Sequence, residues 1–391
     1  PMPPPNNPQS IHNLETPEGV VVAYRRIVIK AGTTLLTHDS DHLNTSVMLG
    51  LVKQITNLHR NGVEAALVSS GAVAAGYQVL NLSRKEKNLP FRQVLAAAGQ
   101  SHLMHLYQKM FDDHGIPVAQ ALLSRKDFNE RVGYLNIRNT LLSLLNLKVV
   151  PIINENDVVA VDELVGEAFG DNDNLSAMVA NLIDADLLIM LGEVNGLYTS
   201  DPHIDSNARL IPTVTSFDSD IDSMGGASWG DRGQGGMITK LESAKLATAS
   251  GIDVVIANGM EHDALMRLAS GERLGTLFPA SSTKMESRKR WMLSGLSTKG
   301  EMIVDEGASR ALSDKNRSLL PAGVKSVLGS FHRGDIVAIL SSRGNKIAVG
   351  ITNYGSDEVE KIRGSHTNLI GKILGHQYGD EVVHRNNMVI L

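Results

Sequence analysis

The 391-residue chain has no cysteine. That excludes disulfides, thiolate metal centres and cysteine nucleophiles, and it is compatible with a reducing compartment. No apolar run approaches the roughly 18 residues that a membrane-spanning helix needs, and no basic-then-apolar leader opens the chain. Large charge of either sign is also missing: the net charge is -5 and the isoelectric point about 6.2, against a protein dominated by nucleic-acid or membrane electrostatics. These absences predict a soluble, cytoplasmic protein with no membrane partner. No Walker A sequence and no GxGxxG after a strand occur, and no Ser/His/Asp or paired-carboxylate hydrolase arrangement can be singled out. His102 and His105 lie three apart on an expected helix without a third ligand nearby, so they read as solvated or core histidines. No metal-ligating side chains are assigned.

What is present is a repeating beat of short apolar strand, small-residue turn and helix. Expected strands are Ile27–Lys30, Ala65–Val68, Val118–Leu123, Val149–Asn154, Leu187–Leu191 and Asp253–Ala257. Expected helices are Asp41–Asn61, Leu95–Phe111, Tyr134–Asn146, Ser176–Ala185 and Lys240–Ser250. Alternation at this length predicts an α/β fold, an open and mainly parallel sheet sandwiched by helices. In such sheets ligands sit outside the carboxyl ends of the strands, where the polar turns fall. Residues 1–24, rich in Pro and Asn, read as a disordered tail, with structure starting at Arg26. The first domain takes residues 25–280, and a Ser, Thr, Lys and Arg-rich stretch at 281–297 reads as a linker. Residues 298–391 lose the beat and predict a small β-rich domain.

Chemistry concentrates in one stretch, Pro151 to Ala177. A buried-strand signal, Val149 to Ile153, runs straight into Asn154-Glu155-Asn156-Asp157, and Gly170-Asp171-Asn172-Asp173-Asn174 stands ahead of a helical segment. Turn and cap chemistry explains isolated Asn and Asp residues. Four polar side chains directly after five apolar ones point instead to a ligand: Mg²⁺, an α-amino group or lysines. Lys30 ends a buried strand in front of Gly32-Thr33-Thr34, a costly place for a charge unless an anion meets it. The segment Thr215 to Gly236, acidic at first and then Gly-rich, predicts a mobile loop, and Gly233-Gln234-Gly235-Gly236-Met237-Ile238-Thr239-Lys240 has the components of a phosphate cradle at an unusual spacing.

The ordered set Val28-Ile29-Lys30-Ala31-Gly32-Thr33, Ser69-Ser70-Gly71-Ala72, Asn154-Glu155-Asn156-Asp157, Gly170 to Ala177, Gly196 to Pro202 and Gly235-Gly236-Met237 to Lys240 resembles the amino acid kinases. The region from Ile303 onward, with Leu319 to Val324, is similar to the PUA domain that many bacterial members carry. The closest resemblance is to members that phosphorylate the γ-carboxylate of free glutamate, the first step of proline biosynthesis. It implies ATP and Mg²⁺, a homo-oligomer (dimer or tetramer), and feedback inhibition by proline. It further implies that Lys30, Asp173 and Lys240 are catalytic and that Ser70, Asp157 and Asn172 bind glutamate. Lys30, Gly192, Glu193, and Gln234, Gly235, Gly236, Met237, Ile238, Thr239 and Lys240 would line the nucleotide site. Gly192-Glu193 stands where the family usually has Thr-Asp, and His203 where it has Arg. The alternatives are a kinase of the acetylglutamate or aspartate type, or an RNA-binding protein acting through the PUA-like region. Against the latter, residues 298–391 hold 12 Lys and Arg against 10 Asp and Glu, too even a balance for a surface that must compensate many phosphates.

Overall fold

The computed structural model describes residues 14–15, 21–38, 40–82, 89–159, 172–202, 204–219, 221, 224, 236–281, 298–315 and 317–391. They form two compact units. The first comprises Pro1–Asp127 and Arg138–Ser282; the second comprises Phe128–Ile137 and Thr283–Leu391. The short segment 128–137, which the sequence reading placed inside the first domain, is thus part of the second.

Strands are numbered along the chain. A small pair, β1 (Leu14–Glu15) and β2 (Val21–Val22), precedes the main sheet. Ordered structure therefore begins ahead of Arg26, contrary to expectation. The cause is tertiary: Val22 is buried in the core, and the Tyr24 hydroxyl donates to Asp253 at 3.0 Å.

Seven strands make the main sheet: β3 (Arg26–Ala31), β4 (Glu64–Ser69), β5 (Val118–Leu123), β6 (Val150–Glu155), β7 (Leu187–Gly192), β8 (Asp253–Asn258) and β9 (Thr276–Phe278). Their order is β5-β6-β4-β3-β7-β8-β9. All pairings are parallel except β8 with β9. The expected mainly parallel α/β sheet is what the chain forms. β4 and β7 are buried along their whole length, which explains why they read as continuous apolar runs rather than alternating ones. On β3 the period of two puts Ile27, Ile29 and Ala31 into one core layer with Leu67, Ile152 and Ile189. Val28 and Lys30 take the other face.

The helix Leu89–Asp112 docks on the helix Ala72–Val79 through backbone contacts at Gly76 and Gly99. A Cβ on Gly99 would come within 1.9 Å of the Ala72 carbonyl oxygen, and one on Gly76 within 2.1 Å of the Leu95 carbonyl oxygen. Both glycines are required by close approach, and this contact seats the long helix beside the ends of β4 and β6.

The second unit carries a five-stranded sheet, in the order β11 (Val324–Gly329), β10 (Gly300–Val304), β12 (Ile336–Leu340), β13 (Lys346–Ile351), β14 (Met388–Ile390). Only β10 and β12 run parallel. One core holds Met302, Phe331, Val337, Ile339, Tyr354 and Val382; a smaller cluster joins Leu135 to Ile336, Val349, Ile351 and Val389. The β-rich character of this region is as expected. No helix among the described residues is long and apolar enough to cross a membrane.

The backbone contact at Gly99 yields a stability prediction. Gly99→Ala should lower stability by about 1–3 kcal/mol or more, since neither backbone can retreat. In urea the unfolding midpoint should fall at nearly constant slope.

Candidate active site

Because the strands are parallel, their carboxyl ends lie on one edge of the sheet, and three of the sequence motifs arrive there together. Lys30 pairs in register with Val68 of β4 and Met190 of β7, so it stands one residue short of the end of the central strand. Ser70 follows β4, and its N–H donates to the Ala31 carbonyl at 3.0 Å. Asn154 and Glu155 end β6, and Gly192 ends β7.

Facing this edge is the helix Asn172–Leu182. The sequence reading starts it at Ser176, with Asn172 to Asn174 as a polar group ahead of it. In the structure these are its first residues, placed where an acidic side chain meets the favourable potential of a helix N-terminus. The early start turns Asp173 inward. Its carboxylate is fully buried, with Lys30 Nζ 2.5 Å from Oδ1 and Lys240 Nζ 3.2 Å from Oδ2. The Thr239 hydroxyl also donates to Oδ2, at 2.9 Å.

Lys240 and Thr239 come from the helix Met237–Ala249, which begins three residues before the expected Lys240. Helical spacing sorts the expected nucleotide run. Thr239 and Lys240 reach Asp173, Met237 is buried in the core, and Ile238 is exposed. Gly236 precedes this helix, and among the described residues no side chain caps it, an arrangement that suits an anion at the helix N-terminus. Gln234 and Gly235 lie outside the described residues, as do residues 220, 222, 223 and the rest of 225–235 in the expected mobile loop, Asp171, His203 and residues 160–170.

The second group surrounds Asn172. Its Nδ2 donates to Ser70 Oγ at 2.8 Å and to Asn154 Oδ1 at 3.0 Å. Asn154 Nδ2 in turn donates to Gln100 Oε1 at 2.9 Å. Asn172 Oδ1 is buried and has no hydrogen-bond partner among the described residues. Next to Ser70, Gly71 adopts φ 103° and opens the helix Ala72–Val79 with no side-chain cap. A side chain there would be strained and would press within 2.9 Å of Leu43 Cδ2. The Ser70-Gly71 turn thus offers a hydroxyl and an uncapped helix N-terminus, both suited to a carboxylate.

The remaining expected residues are placed as follows. Asp157 is half-buried in the turn that follows β6. Gly192 lies beside Lys240, since a Cβ there would sit 4.0 Å from Lys240 Cε. Glu193 is exposed, with Oε1 4.0 Å from His38 Nδ1. Gln100 was not among the expected site residues. Nothing in its sequence context separates it from other polar residues on a helix, and only the docking at Gly99 brings it to β6. Behind the site, Ser69 Oγ and the Tyr107 hydroxyl are 2.8 Å apart, and burial holds the Tyr107 phenol well above the ordinary tyrosine range.

Chemically, this is a pair of ammonium groups fixed by one carboxylate, next to a pocket with a hydroxyl, carboxamides and an uncapped helix. It suits transfer of a phosphoryl group onto a small polar acceptor. The chain belongs to the amino acid kinase family, whose model matches residues 25–258, and a PUA domain model matches residues 300–374. Among curated relatives, the glutamate 5-kinase of Dehalococcoides mccartyi is 51% identical over 94% of this chain and 99% of its own length. The glutamate 5-kinases of Caldanaerobacter subterraneus and Herpetosiphon aurantiacus are each 47% identical over 94% of this chain and 98% of theirs.

The buried triad makes a prediction about stability. Asp173→Asn leaves Lys30 buried without its carboxylate and should cost about 3–5 kcal/mol. Adding Lys30→Met should recover much of that loss, read as a coupling energy in a double-mutant denaturation cycle.

Proposed function

We propose that the protein transfers the γ-phosphoryl group of ATP to the γ-carboxylate of L-glutamate, giving L-glutamyl 5-phosphate and ADP, the first step of proline biosynthesis. The observation that carries this reading is Asp173 holding Lys30 and Lys240 beside the Ser70–Asn172 pocket. Relatives of nearly full length on both sides support the particular substrate.

The reaction needs no base. A glutamate side chain is already ionised at neutral pH. One of its oxygens forms the new bond to phosphorus as the bond to the ADP oxygen breaks, and no proton moves. Catalysis then rests on alignment and on neutralising charge over the transferring oxygens. Lys30 and Lys240 supply two positive groups whose separation Asp173 sets. Between two ammonium groups the carboxylate offsets a repulsion that would otherwise push them apart. The uncapped helix at Gly236 would receive phosphate oxygens, and Gly32 keeps the approach to Lys30 clear, because a Cβ there would lie 3.3 Å from Nζ. Ser70, the Gly71 turn, Asn172 and Asp157 would hold glutamate, with Asp157 a partner for its ammonium.

The described residues contain no group of three or more His, Cys, Asp or Glu arranged to hold a metal ion. Mg²⁺ keeps several waters and is commonly held through substrate phosphates with one or two carboxylates. This site therefore fits an ion that enters on ATP, and such an ion would supply further charge neutralisation on the phosphate oxygens. We further propose a homo-oligomer and inhibition by proline, as the family resemblance implies.

Hydroxylamine trapping tests the reaction. With ATP and free glutamate the protein should yield γ-glutamyl hydroxamate; product only from N-acetylglutamate or aspartate would reject the assignment. Lys240→Ala should lower kcat about 100- to 1000-fold, equivalent to roughly 3–4 kcal/mol, while KM for glutamate stays near the wild-type value. The same assay with proline added reads the feedback.

A further inference from the structure

Four polar side chains form a row along the glutamate side of the site: Gln100 on the helix Leu89–Asp112, Asn154 at the end of β6, Asn172 at the start of its helix, and Ser70 after β4. Amides can face either way, so the direction of such a row is arbitrary unless something fixed anchors it. Here the anchor is a group that can only donate. The backbone N–H of Glu155 meets Asn154 Oδ1 at 2.8 Å, so that atom must be the amide oxygen.

Each remaining orientation follows. Asn154 turns its NH₂ to Gln100, which must answer with Oε1, at 2.9 Å. Asn172 faces the oxygen of Asn154, so it must present Nδ2, and the same nitrogen donates to Ser70 Oγ. Two atoms are left with a fixed character. Asn172 Oδ1 is an acceptor, buried and without a donor among the described residues. Ser70 Oγ already accepts, so its own proton is available to a ligand; the described residues offer that proton no acceptor.

The geometry points to Gln100 as a positioning residue for the amino-acid substrate. By accepting from Asn154 Nδ2 it holds in place the carboxamide whose polarity the Glu155 N–H sets, and so keeps the Asn172 carbonyl oxygen turned to the substrate's ammonium and the Ser70 proton turned to a substrate carboxylate. This inference rests on the proposed glutamate kinase reading and adds a source of selectivity to it. A free amino acid brings an ammonium donor to Asn172 Oδ1 and a carboxylate to Ser70. An N-acylated one keeps only a single neutral amide N–H, which makes no charge-assisted bond, and brings a bulky acyl group toward the same oxygen. Exchanging a charged donor for a neutral and crowded one weakens the bond to a buried acceptor, so the fixed polarity favours a free amino group.

Two substitutions separate positioning from packing. Gln100→Met keeps the length and apolar bulk but removes the acceptor; Gln100→Glu keeps an oxygen at the same reach and adds a charge. Positioning predicts that Gln100→Met raises KM for glutamate about tenfold or more, with KM for ATP and kcat within about twofold of wild type. Gln100→Glu should then lie closer to wild type than Gln100→Met. A packing role predicts the opposite order, since Met is the better filler and the charge of Glu the worse. An unchanged glutamate KM in Gln100→Met, a joint rise of both KM values, or the reversed order overturns the inference while leaving the kinase reading intact. A wild-type protein that gives no hydroxamate from free glutamate overturns the kinase reading, and this inference with it.

Discussion

A single carboxylate inside the protein sets the geometry of the site. Asp173 is fully buried and sits between two lysines that come from elements far apart in the chain, the central strand β3 and the helix Met237–Ala249. Such an arrangement is a poor source of net stability, because removing three charges from water costs about as much as their attraction returns. What it secures is position. Lys30 cannot leave the edge of the sheet without abandoning a buried anion, and Lys240 is held at a set distance from it. The family's chemistry asks for that distance more than for any reactive side chain, since the acceptor is ionised before it arrives.

The rest of the first unit can be understood as what brings these charges together. Parallel pairing of β4, β3 and β7 puts Ser70, Lys30 and Gly192 on one edge. Alternation along β3 sends Lys30 to the face opposite the main apolar layer, where the helix carrying Asp173 lies. The strand ends also divide the labour. The Asp173 carboxylate meets two lysines and the Thr239 hydroxyl, while Asn172 meets the Asn154 carboxamide and the Ser70 hydroxyl. One helix thus faces two chemistries through two adjacent residues.

Much of this was legible in the sequence. Strands such as Val118–Leu123 emerge with the expected limits because their boundaries coincide with a sharp change from apolar to polar residues. Lys30, Asp173 and Lys240 were expected from the family's motifs, and the cost of burying a lysine made the first of them suspicious on physical grounds alone. The helices carrying Lys240 and Asp173 begin earlier than expected, at Met237 rather than Lys240 and at Asn172 rather than Ser176, while the one expected from Asp41 begins later, at Thr45. In the two early starts a polar or glycine-flanked first turn disguises the helix: Asp173, Thr239 and Lys240 turn to one another and add nothing to an apolar period, and Met237 alone marks the core side. The ordered residues ahead of Arg26 were missed because composition records no single tertiary contact such as Tyr24 with Asp253. Gln100 was invisible for a similar reason, since its role depends on which helix it meets.

That meeting has a consequence for how the pocket can vary. The helix Leu89–Asp112 touches its neighbour through bare backbone at Gly99, one residue before Gln100. The distance of the Gln100 main chain from that neighbouring helix is therefore set at Gly99 by the thickness of two backbones, with no side chain there to absorb an error. Drift in the surrounding apolar residues can alter how firmly the helices grip, but it has little means of sliding the amide row along the sheet. Divergent members of such a lineage would change substrate by exchanging the atoms displayed at fixed posts, much as a lock is rekeyed by its pins and not by moving the barrel.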